Sequence, residues 1–260
     1  MVDGLQFKTI NWGSKLLRTI IIVQARMNST RLPGKILKKI MGKPLLEYQI
    51  QRLKRVRNAD DVVIATTVNK ADDLIVDLCK NLGCKFFRGS ENDVLLRYVE
   101  SAKKFNADLI VRINSDCPLI DPLVVERIID YFLSDLNNYD YVSNILEVGY
   151  PIGFHTEVFS IGAIMKANNN STNNLEREHV TPYIYRNPNL FNLASITLDH
   201  DLSEYRLTVD YPEDFLLIKN VIEVLYPIKP NFDMDDIILF LEEHPDIKNI
   251  NKGIQKLQTV

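Results

Sequence analysis

The sequence predicts an α/β fold in which helices wrap both faces of a mostly parallel central sheet. Residues 20–23 form an uninterrupted run of β-branched side chains, which is typical of a parallel strand buried on both faces. Similar apolar segments then alternate with amphipathic segments up to about residue 137, without internal repeats. The chain has 260 residues, of which 46% are hydrophobic and 25% charged, enough for one large domain of this class.

Each element follows from apolar periodicity, from β-branched runs, or from residues that begin and end helices. Gly83 ends one helical pattern, and Pro212 with its acidic neighbours begins another. In the first half, strands are predicted at residues 20–23, 61–67, 84–87 and 107–113, and helices at 44–56, 71–82, 93–105 and 122–133. In the second half, strands are predicted at 139–145, 154–161, 191–198 and 206–209, helices at 212–226 and 234–243, and a mobile polar loop at 168–174.

A single domain is predicted over residues 19–260, preceded by an N-terminal extension over residues 1–18. The regular alternation of strands and helices stops near residue 137, and the strand predicted at 206–209 restores it. Residues from about 141 to 207 are therefore predicted to form an inserted, lid-like half of this domain.

The composition argues against several classes of protein. There are 31 Lys and Arg residues against 34 Asp and Glu residues, a formal net charge of −3, so a broad nucleic-acid-binding face is not expected. No apolar run approaches the roughly 18 residues that a membrane span needs. Cys79, Cys84 and Cys117 are too few for a disulfide framework and are predicted to be buried and reduced. In the absence of an export signal, a cytoplasmic location is expected.

A cluster of cations follows the first predicted strand. Residues 24–35 read Gln-Ala-Arg-Met-Asn-Ser-Thr-Arg-Leu-Pro-Gly-Lys and place Arg26, Arg31 and Lys35 in one loop. Core packing does not require three charges there, whereas a polyphosphate does, so a nucleoside triphosphate is predicted at the carboxyl edge of the sheet. A solvated basic loop is the alternative. The P-loop and Gly-x-Gly-x-x-Gly patterns are absent, which disfavours the P-loop and dinucleotide-binding classes.

Two aspartates follow other predicted strands. Asp116 comes after the strand at 107–113, and Asp210 comes directly after the strand at 206–209. Mg²⁺ prefers carboxylate oxygen atoms, so the two residues are predicted to hold Mg²⁺ against the phosphates of the nucleotide. Asp210 could equally well cap the helix that begins near Pro212.

Four segments together are characteristic. They are the cationic loop at 24–35, Asp-Cys-Pro-Leu-Ile-Asp-Pro at 116–122, Arg-Glu-His-Val-Thr-Pro-Tyr-Ile-Tyr at 177–185, and Thr-Val-Asp-Tyr-Pro-Glu-Asp at 208–214. In this order they resemble the SpsF-like cytidylyltransferases of spore-coat polysaccharide biosynthesis, which are related to the CMP-Kdo and CMP-acylneuraminate synthetases. The resemblance runs from about residue 20 to residue 226.

The resemblance implies a nucleotide-diphospho-sugar transferase fold, which is Rossmann-like, and therefore a single nucleotidyltransferase domain. The implied reaction is Mg²⁺-dependent transfer of CMP from CTP to an acidic sugar or a surface-polysaccharide sugar, with release of pyrophosphate. The implied partners are CTP and a small sugar acceptor, with neither nucleic acid nor membrane. A homodimer is also implied, with its contact in the region of residues 141–207.

The resemblance also implies roles for single residues. Cytosine is expected to contact the backbone at Ala25 and its neighbours, and Arg97 is expected to face the same cleft. The expected catalytic residues are Lys35, Arg26, Asp116 and Asp210, and the expected metal ligands are Asp116 and Asp210. The expected nucleotide-binding residues are Gln24, Ala25, Arg26, Ser29, Thr30, Arg31, Lys35, Arg88, Asn114 and Asp116. The expected sugar-binding residues are His155, Glu157, Glu178 and His179, and for His179 a purely structural role is equally open.

Three positions depart from the family pattern. Asn28 and Ser115 stand where glycine is usual, and a side chain at either position narrows the approach of the backbone to a ligand. His155 stands where an acid is usual in Tyr-Pro-x-Gly-Leu-Asp-x-Glu, whereas Glu157 is retained. A changed acceptor or a weaker activity is therefore expected.

Two other functions remain open from the sequence. One is a glycosyltransferase that uses a nucleotide sugar, although its usual Asp-x-Asp motif is not matched by Asn114-Ser115-Asp116. The other is a non-catalytic nucleotide-binding homologue, which the substitutions at positions 28, 115 and 155 would suit.

Overall fold

A computed structural model describes residues 17–254 of the chain. Residues 1–16 of the predicted N-terminal extension and residues 255–260 of the predicted domain lie outside the described residues. Arg18, the last residue of the predicted extension, is tied to the sheet, because its side chain donates a 2.8 Å hydrogen bond to Asp61 and its carbonyl accepts one from the amide of Asp108.

Seven strands form a central sheet in the order β5-β4-β1-β6-β8-β7-β9, and two more form a short antiparallel ribbon. The strands of the sheet are β1 (Thr19–Gln24), β4 (Asp61–Thr67), β5 (Lys85–Gly89), β6 (Leu109–Asn114), β7 (Tyr141–Ser143), β8 (Glu157–Ser160) and β9 (Leu193–Ser195), and those of the ribbon are β2 (Lys39–Ile40) and β3 (Lys43–Pro44). Only β8 runs antiparallel to its neighbours in the sheet. The predicted α/β class with a mostly parallel sheet is confirmed.

Several helices begin at a capping side chain or at a proline, as the sequence indicates. Asp93 accepts a hydrogen bond from the Leu96 amide at 2.9 Å, and Asp121 caps the helix that opens at Pro122. Among the described residues, none of the helices has both the length and the apolar character that a membrane span needs. The α-helices are α1 (Leu45–Leu53), α2 (Asp73–Asn81), α3 (Val94–Lys104), α4 (Pro122–Ser134), α5 (Ile161–Asn170), α6 (Asn174–His179), α7 (Pro182–Tyr185), α8 (Pro212–Ile228), α9 (Met234–Glu243) and α10 (Pro245–Lys248).

Apolar side chains of the strands pack against helices on both faces of the sheet. On β1, Ile21 and Val23 join the core on one face, whereas Ile20 and Ile22 join the core on the other. All four side chains are completely buried, which explains why the strand reads as a continuous apolar run.

The second half of the chain extends the same sheet. β8 pairs with β6 on one side and with β7 on the other, and β9 pairs with β7. The strand predicted at 206–209 is wrong, because this segment forms only an isolated bridge between Ile152 and Arg206. Further along, the Val209 amide donates to the Asp116 carbonyl at 2.8 Å. The segment thus pairs with loops beyond the strand ends, where no ladder can form.

The asparagine-rich segment at 168–174 is mostly helical, contrary to the predicted loop. Its first three residues end α5, and Asn174 begins α6. The Asn173 side chain caps α6 by accepting a 2.9 Å hydrogen bond from the Glu176 amide. Asparagine is favoured at helix caps, so its abundance here marks helix ends rather than one long loop.

Candidate active site

The cationic loop and the two aspartates meet at the carboxyl edge of the sheet. β1 and β6 are adjacent and parallel, and their register pairs Gln24 with Asn114. The residues that follow the two strands therefore emerge side by side, with the loop at 26–35 after β1 and Asp116 after β6. Asp210 reaches the same point because the amide of the preceding residue is bonded to the Asp116 carbonyl. The topology thus joins three segments that are distant in sequence.

Lys35 lies between the two aspartates. Its Nζ atom is 3.0 Å from Asp116 Oδ2 and 2.8 Å from Asp210 Oδ1. The loop turns back toward the sheet at Gly34, whose φ of +67° suits glycine. Two carboxylates that converge on one cation offer hard oxygen ligands, and this donor set fits Mg²⁺.

Arginines hold both oxygen atoms of Asp210. Arg31 Nη2 lies 3.0 Å from Oδ1, and Arg206 Nη2 lies 3.0 Å from Oδ2. Arg206 also pairs through Nε with Asp214, which is completely buried. The Asp214 carboxylate accepts hydrogen bonds from the amides of Asp210 and Tyr211 at 2.9 and 3.0 Å. Asp214 rather than Asp210 therefore binds the free amides at the start of α8, so the capping alternative for Asp210 is not what forms.

The charges of this cluster shift the pKa values of its members. Burial disfavours the ammonium form of Lys35, but Asp116 and Asp210 outweigh it and raise the pKa of Lys35. Burial also opposes ionisation of Asp210, yet Lys35, Arg31 and Arg206 outweigh it and lower the pKa of Asp210. At neutral pH Lys35 is therefore protonated and Asp210 ionised, as phosphate binding and metal binding require.

The cationic loop is folded by its own backbone hydrogen bonds. The Gly34 amide donates to the Met27 carbonyl at 3.0 Å, and the Met27 amide donates to the Asp72 side chain at 2.7 Å. Ser29 accepts a long hydrogen bond of 3.4 Å from a loop amide, and Thr30 is exposed. The Asn28 side chain donates to Glu91 at 3.3 Å at the exposed edge of the loop.

The end of α6 approaches the cationic loop at Arg26. Arg26 Nη2 lies 3.9 Å from Glu178 Oε1, and both side chains are exposed. His179 is the last residue of α6 and is also exposed. The nucleotide loop and the expected sugar-binding segment thus face each other through one loose ion pair.

Arg88 in β5 and Arg97 in α3 already have protein contacts. Arg88 donates to the carbonyls of Thr67 and Asn69, both at 2.8 Å, and to Asp73 at 2.6 Å. It therefore fastens the turn that follows β4. Arg97 is buried and donates to a backbone carbonyl, while its Nε has no hydrogen-bond partner within residues 17–254. Burial lowers the pKa of Arg97.

Glu157 is the centre of a buried polar cluster below the cleft. Arg112 forms an ion pair with it, and burial of Arg112 is outweighed by Glu157, which raises the pKa of the arginine. The hydroxyl groups of Tyr141 and Thr181 donate to Glu157 Oε1 at 2.8 and 2.7 Å. The carboxylate is thus satisfied by the protein itself.

His155 lies two residues before Glu157, just ahead of the start of β8, and is half-buried. Burial lowers the pKa of His155. The buried amide oxygens Gln24 Oε1 and Asn114 Oδ1 have no hydrogen-bond partner in the described part of the chain. Gln24 and Asn114, which the register of β1 and β6 pairs, thus carry these unsatisfied amide oxygens at the strand ends, and Asn114 lies two residues before Asp116.

The residues predicted for the site do not include Arg206, Asp214 or Arg112. An arginine inside an apolar strand needs a buried acid as partner, so Arg112 could have been paired with Glu157 in advance. Asp214 gave only the general signal of an acid in the first turn of a helix. Arg206 gave no signal, because its contacts depend on the path of the chain after α7.

The sequence is similar to those of known proteins. The profile of the cytidylyltransferase family matches residues 20–229. An uncharacterized protein of Methanocaldococcus jannaschii is 41% identical over 244 residues, which are 92% of this chain and 97% of that protein. The spore coat polysaccharide biosynthesis protein SpsF of Bacillus subtilis is 30% identical over 234 residues, 87% of this chain and 95% of its own.

Solved structures show the same architecture. A cytidylyltransferase from Leptospira borgpetersenii superposes with a TM-score of 0.87 at 34% identity and covers 92% of this chain and 100% of its own. Two more distant structures share the fold. The CMP-2-keto-3-deoxy-manno-octonic acid synthetase complexed with CTP has a TM-score of 0.61 at 18% identity and covers 79% of this chain and 98% of its own. A Mycobacterium tuberculosis protein complexed with manganese has a TM-score of 0.53 at 15% identity and covers 77% of this chain and 96% of its own.

The family profile covers most of the chain, and both the SpsF protein and the Leptospira structure match along nearly their whole length. The predicted nucleotide-diphospho-sugar transferase fold is confirmed by the neighbouring structures. This chain therefore belongs to the cytidylyltransferase family and is a nucleotidyltransferase.

Proposed function

We propose that this protein is a Mg²⁺-dependent cytidylyltransferase that transfers CMP from CTP to an acidic or surface-polysaccharide sugar and releases pyrophosphate. The observation that carries the proposal is Lys35 between Asp116 and Asp210, with Arg31 beside them. Cations for a triphosphate and carboxylates for a divalent metal lie within one cluster. The structure solved with CTP shares this fold, which supports the choice of nucleotide.

The triphosphate would lie along the cationic loop. Arg26, Arg31 and Lys35 supply fixed positive charges, and Ser29 and Thr30 supply hydroxyl donors. The nucleoside would extend over the strand ends, where the proposed contacts are Gln24, the backbone at Ala25, Arg88 and Asn114.

Asp116 and Asp210 would hold the metal ion. When bound, Mg²⁺ would neutralise phosphate charge and help to align the α-phosphorus with the attacking hydroxyl group. A protein with the same fold has been solved in complex with manganese, which supports the choice of a divalent cation.

In the proposed reaction, a sugar hydroxyl oxygen attacks the α-phosphorus of CTP. A phosphorus–oxygen bond to the sugar forms as the bond from the α-phosphorus to the bridging oxygen breaks, and pyrophosphate leaves with that electron pair. Lys35 and Arg31 stabilise the charge that develops on the phosphate oxygens.

Asp210 is a poor acceptor for the hydroxyl proton, because neighbouring cations lower its pKa. We assign that proton to His155, whose lowered pKa keeps the imidazole neutral at pH 7.

The acceptor sugar would lie on the side of β8 and α6. The sugar hydroxyl groups would face His155 and the amide oxygens of Gln24 and Asn114. Glu178 and His179 would contribute further contacts to the sugar from the exposed end of α6. Glu157 would support this side of the site from below through its ion pair with Arg112.

Pyrophosphate release tests the proposal. The purified protein is given CTP, Mg²⁺ and a panel of acidic and surface-polysaccharide sugars, and CMP-sugar formation is followed in parallel. Asp116→Asn should lower kcat by about 100-fold or more, since preorganised charge is lost. Asp77→Asn on the exposed surface of α2 is the matched control and should keep full activity.

The same assay separates the alternatives. Consumption of a CMP-sugar without pyrophosphate would indicate a glycosyltransferase. Binding of CTP without pyrophosphate from any sugar would indicate a non-catalytic homologue. Full activity of Asp116→Asn would reject the metal assignment.

We further propose a cytoplasmic homodimer whose contact involves the lid-like half at residues 141–207. Exposed apolar side chains in this region, Leu146 and Val148, support such a contact. Light scattering after size-exclusion chromatography measures the mass directly. A monomer at micromolar concentration would contradict the dimer.

A further inference from the structure

The two oxygen atoms of Asp210 have different partners. Oδ1 accepts from Lys35 Nζ at 2.8 Å and from Arg31 Nη2 at 3.0 Å, whereas Oδ2 accepts from Arg206 Nη2 at 3.0 Å. The two sets of partners differ in how firmly they are held. This difference suggests that the two oxygen atoms do different work.

Arg206 is held in place from behind. Its Nε and Nη2 atoms pair with the two oxygens of Asp214 at 3.0 and 3.1 Å, a bidentate contact with a carboxylate that has no exposed surface. Asn251 donates to Asp214 at 2.8 Å and to the Arg206 carbonyl at 2.9 Å. Arg206 therefore cannot follow a ligand without breaking a buried network, and it fixes the direction of Asp210.

Lys35 is held differently. Its ammonium group donates to the carboxylates of Asp116 and Asp210 and is a single charge on a flexible stem. A divalent cation held by Asp116 and Asp210 would compete with Lys35 for these carboxylates. The phosphates of a nucleotide offer the displaced ammonium group a new anionic partner.

We propose, on the basis of the proposed function, that Arg206 is a positioning residue, which holds Oδ2 of Asp210 and directs Oδ1 toward Asp116. Lys35 is an exchangeable cation, which leaves Oδ1 when a divalent metal ion binds together with the nucleotide. In the absence of a nucleotide, Lys35 therefore opposes binding of the metal ion. Charge balance supports this exchange: Arg31, Lys35 and Arg206 already neutralise Asp116, Asp210 and Asp214. A divalent ion that binds alone adds two positive charges that nothing compensates, whereas a nucleotide brings compensating negative charge.

Binding of Mn²⁺ alone, measured by electron paramagnetic resonance of the free ion, tests the exchange. Lys35→Met should bind Mn²⁺ at least about tenfold more tightly than the wild-type protein, because a competing positive charge is gone. Lys35→Arg keeps the charge and should resemble the wild type. Lys39→Met removes an exposed lysine of β2 and is the matched control. Equal Mn²⁺ affinity of Lys35→Met and the wild type, or no binding by either, would overturn the exchange.

Substitution of Arg206 in the Lys35→Met background tests the positioning role. Arg206→Lys keeps the charge but loses the planar guanidinium that contacts both oxygens of Asp214 and Oδ2 of Asp210, so Mn²⁺ binding should weaken by about tenfold. If Arg206 acted through its charge alone, Arg206→Lys would leave the Mn²⁺ affinity unchanged, and that result would overturn the positioning role. If Arg206→Lys does not fold, as judged by its thermal transition, Asn251→Ala replaces it and should weaken Mn²⁺ binding by about threefold; an unchanged affinity would count equally against the proposal.

These measurements use neither CTP nor a sugar, so they can fail independently of the proposed function. The expected Mn²⁺ affinities without turnover on any sugar would reject the proposed reaction and keep the exchange. Full cytidylyltransferase activity with identical Mn²⁺ affinities would keep the reaction and reject the exchange.

Discussion

His155 and Asp210 lie at the same edge of the sheet, and their surroundings leave them in different states at neutral pH. Burial lowers the pKa of His155, so the imidazole is neutral. Lys35 and two arginines outweigh burial at Asp210 and lower its pKa, so the carboxylate is charged. A neutral imidazole can accept a proton, whereas a carboxylate held by three cations is suited to binding a metal.

We therefore expect His155→Asn to lower kcat by about 100-fold, because a side chain that accepts the proton is lost. The KM for CTP should stay within about threefold of the wild-type value, since the loss of a sugar-side contact does not weaken nucleotide binding. Steady-state kinetics with each substrate varied in turn measures both constants.

The pH profile checks the same assignment. Protonation of His155 disables it, so wild-type kcat should fall as the pH drops below the ordinary histidine pKa of about 6.5 and through the lowered value. His155→Asn should lack this acid limb. An unchanged limb in the variant would assign the titration to another group.

Two loop segments, rather than a strand, carry Asp210 to the cleft. The Ile152 amide donates to the Tyr205 carbonyl at 3.0 Å, and the Leu207 amide donates to the Ile152 carbonyl at 2.6 Å. Gly153 has a φ of +113°, and a Cβ there would lie 2.4 Å from the Leu207 carbonyl oxygen. This close approach fixes where the segment before Asp210 runs, and only glycine permits it.

Gly153→Ala should lower the free energy of unfolding by about 2–4 kcal/mol, since it adds backbone strain and a clash with buried backbone. Because the clash displaces the segment leading to Asp210, the apparent affinity for metal should also fall. Urea unfolding and Mn²⁺ titration measure the two effects.

Gly42→Ala is the matched control, since Gly42 also has a positive φ, +82°, but no atom lies within 4 Å of the added Cβ. It should cost only about 1 kcal/mol and leave metal affinity unchanged. Equal losses in the two variants would contradict the role given to close packing at Gly153.

Over the whole molecule, the local pattern of apolar residues predicted which side chains are buried better than it predicted which segments pair as strands. The strand around Ile22 was predictable, because a strand buried on both faces is a continuous apolar run. Leu207 and Val209 are buried to the same degree, yet their segment pairs with loops, which a local pattern cannot reveal. Likewise, the meeting of Asp116 and Asp210 could be predicted from their positions after apolar segments, whereas the contact of Arg206 with Asp214 depends on the folded path of the chain.

Ligand binding should stabilise the whole domain if the cleft is a CTP site. A ligand at about 100 times its Kd adds about 2.7 kcal/mol to the free energy of unfolding, and a chain of this size gains about 2–4 °C in Tm per kcal/mol. CTP with Mg²⁺ should therefore raise Tm by about 5–10 °C, as measured by calorimetry. Lys35→Met should lose most of this shift, because the triphosphate loses a cation, whereas Lys39→Met should keep it. An equal shift with GTP would contradict the preference for CTP, and no shift with any nucleoside triphosphate would contradict the polyphosphate site itself.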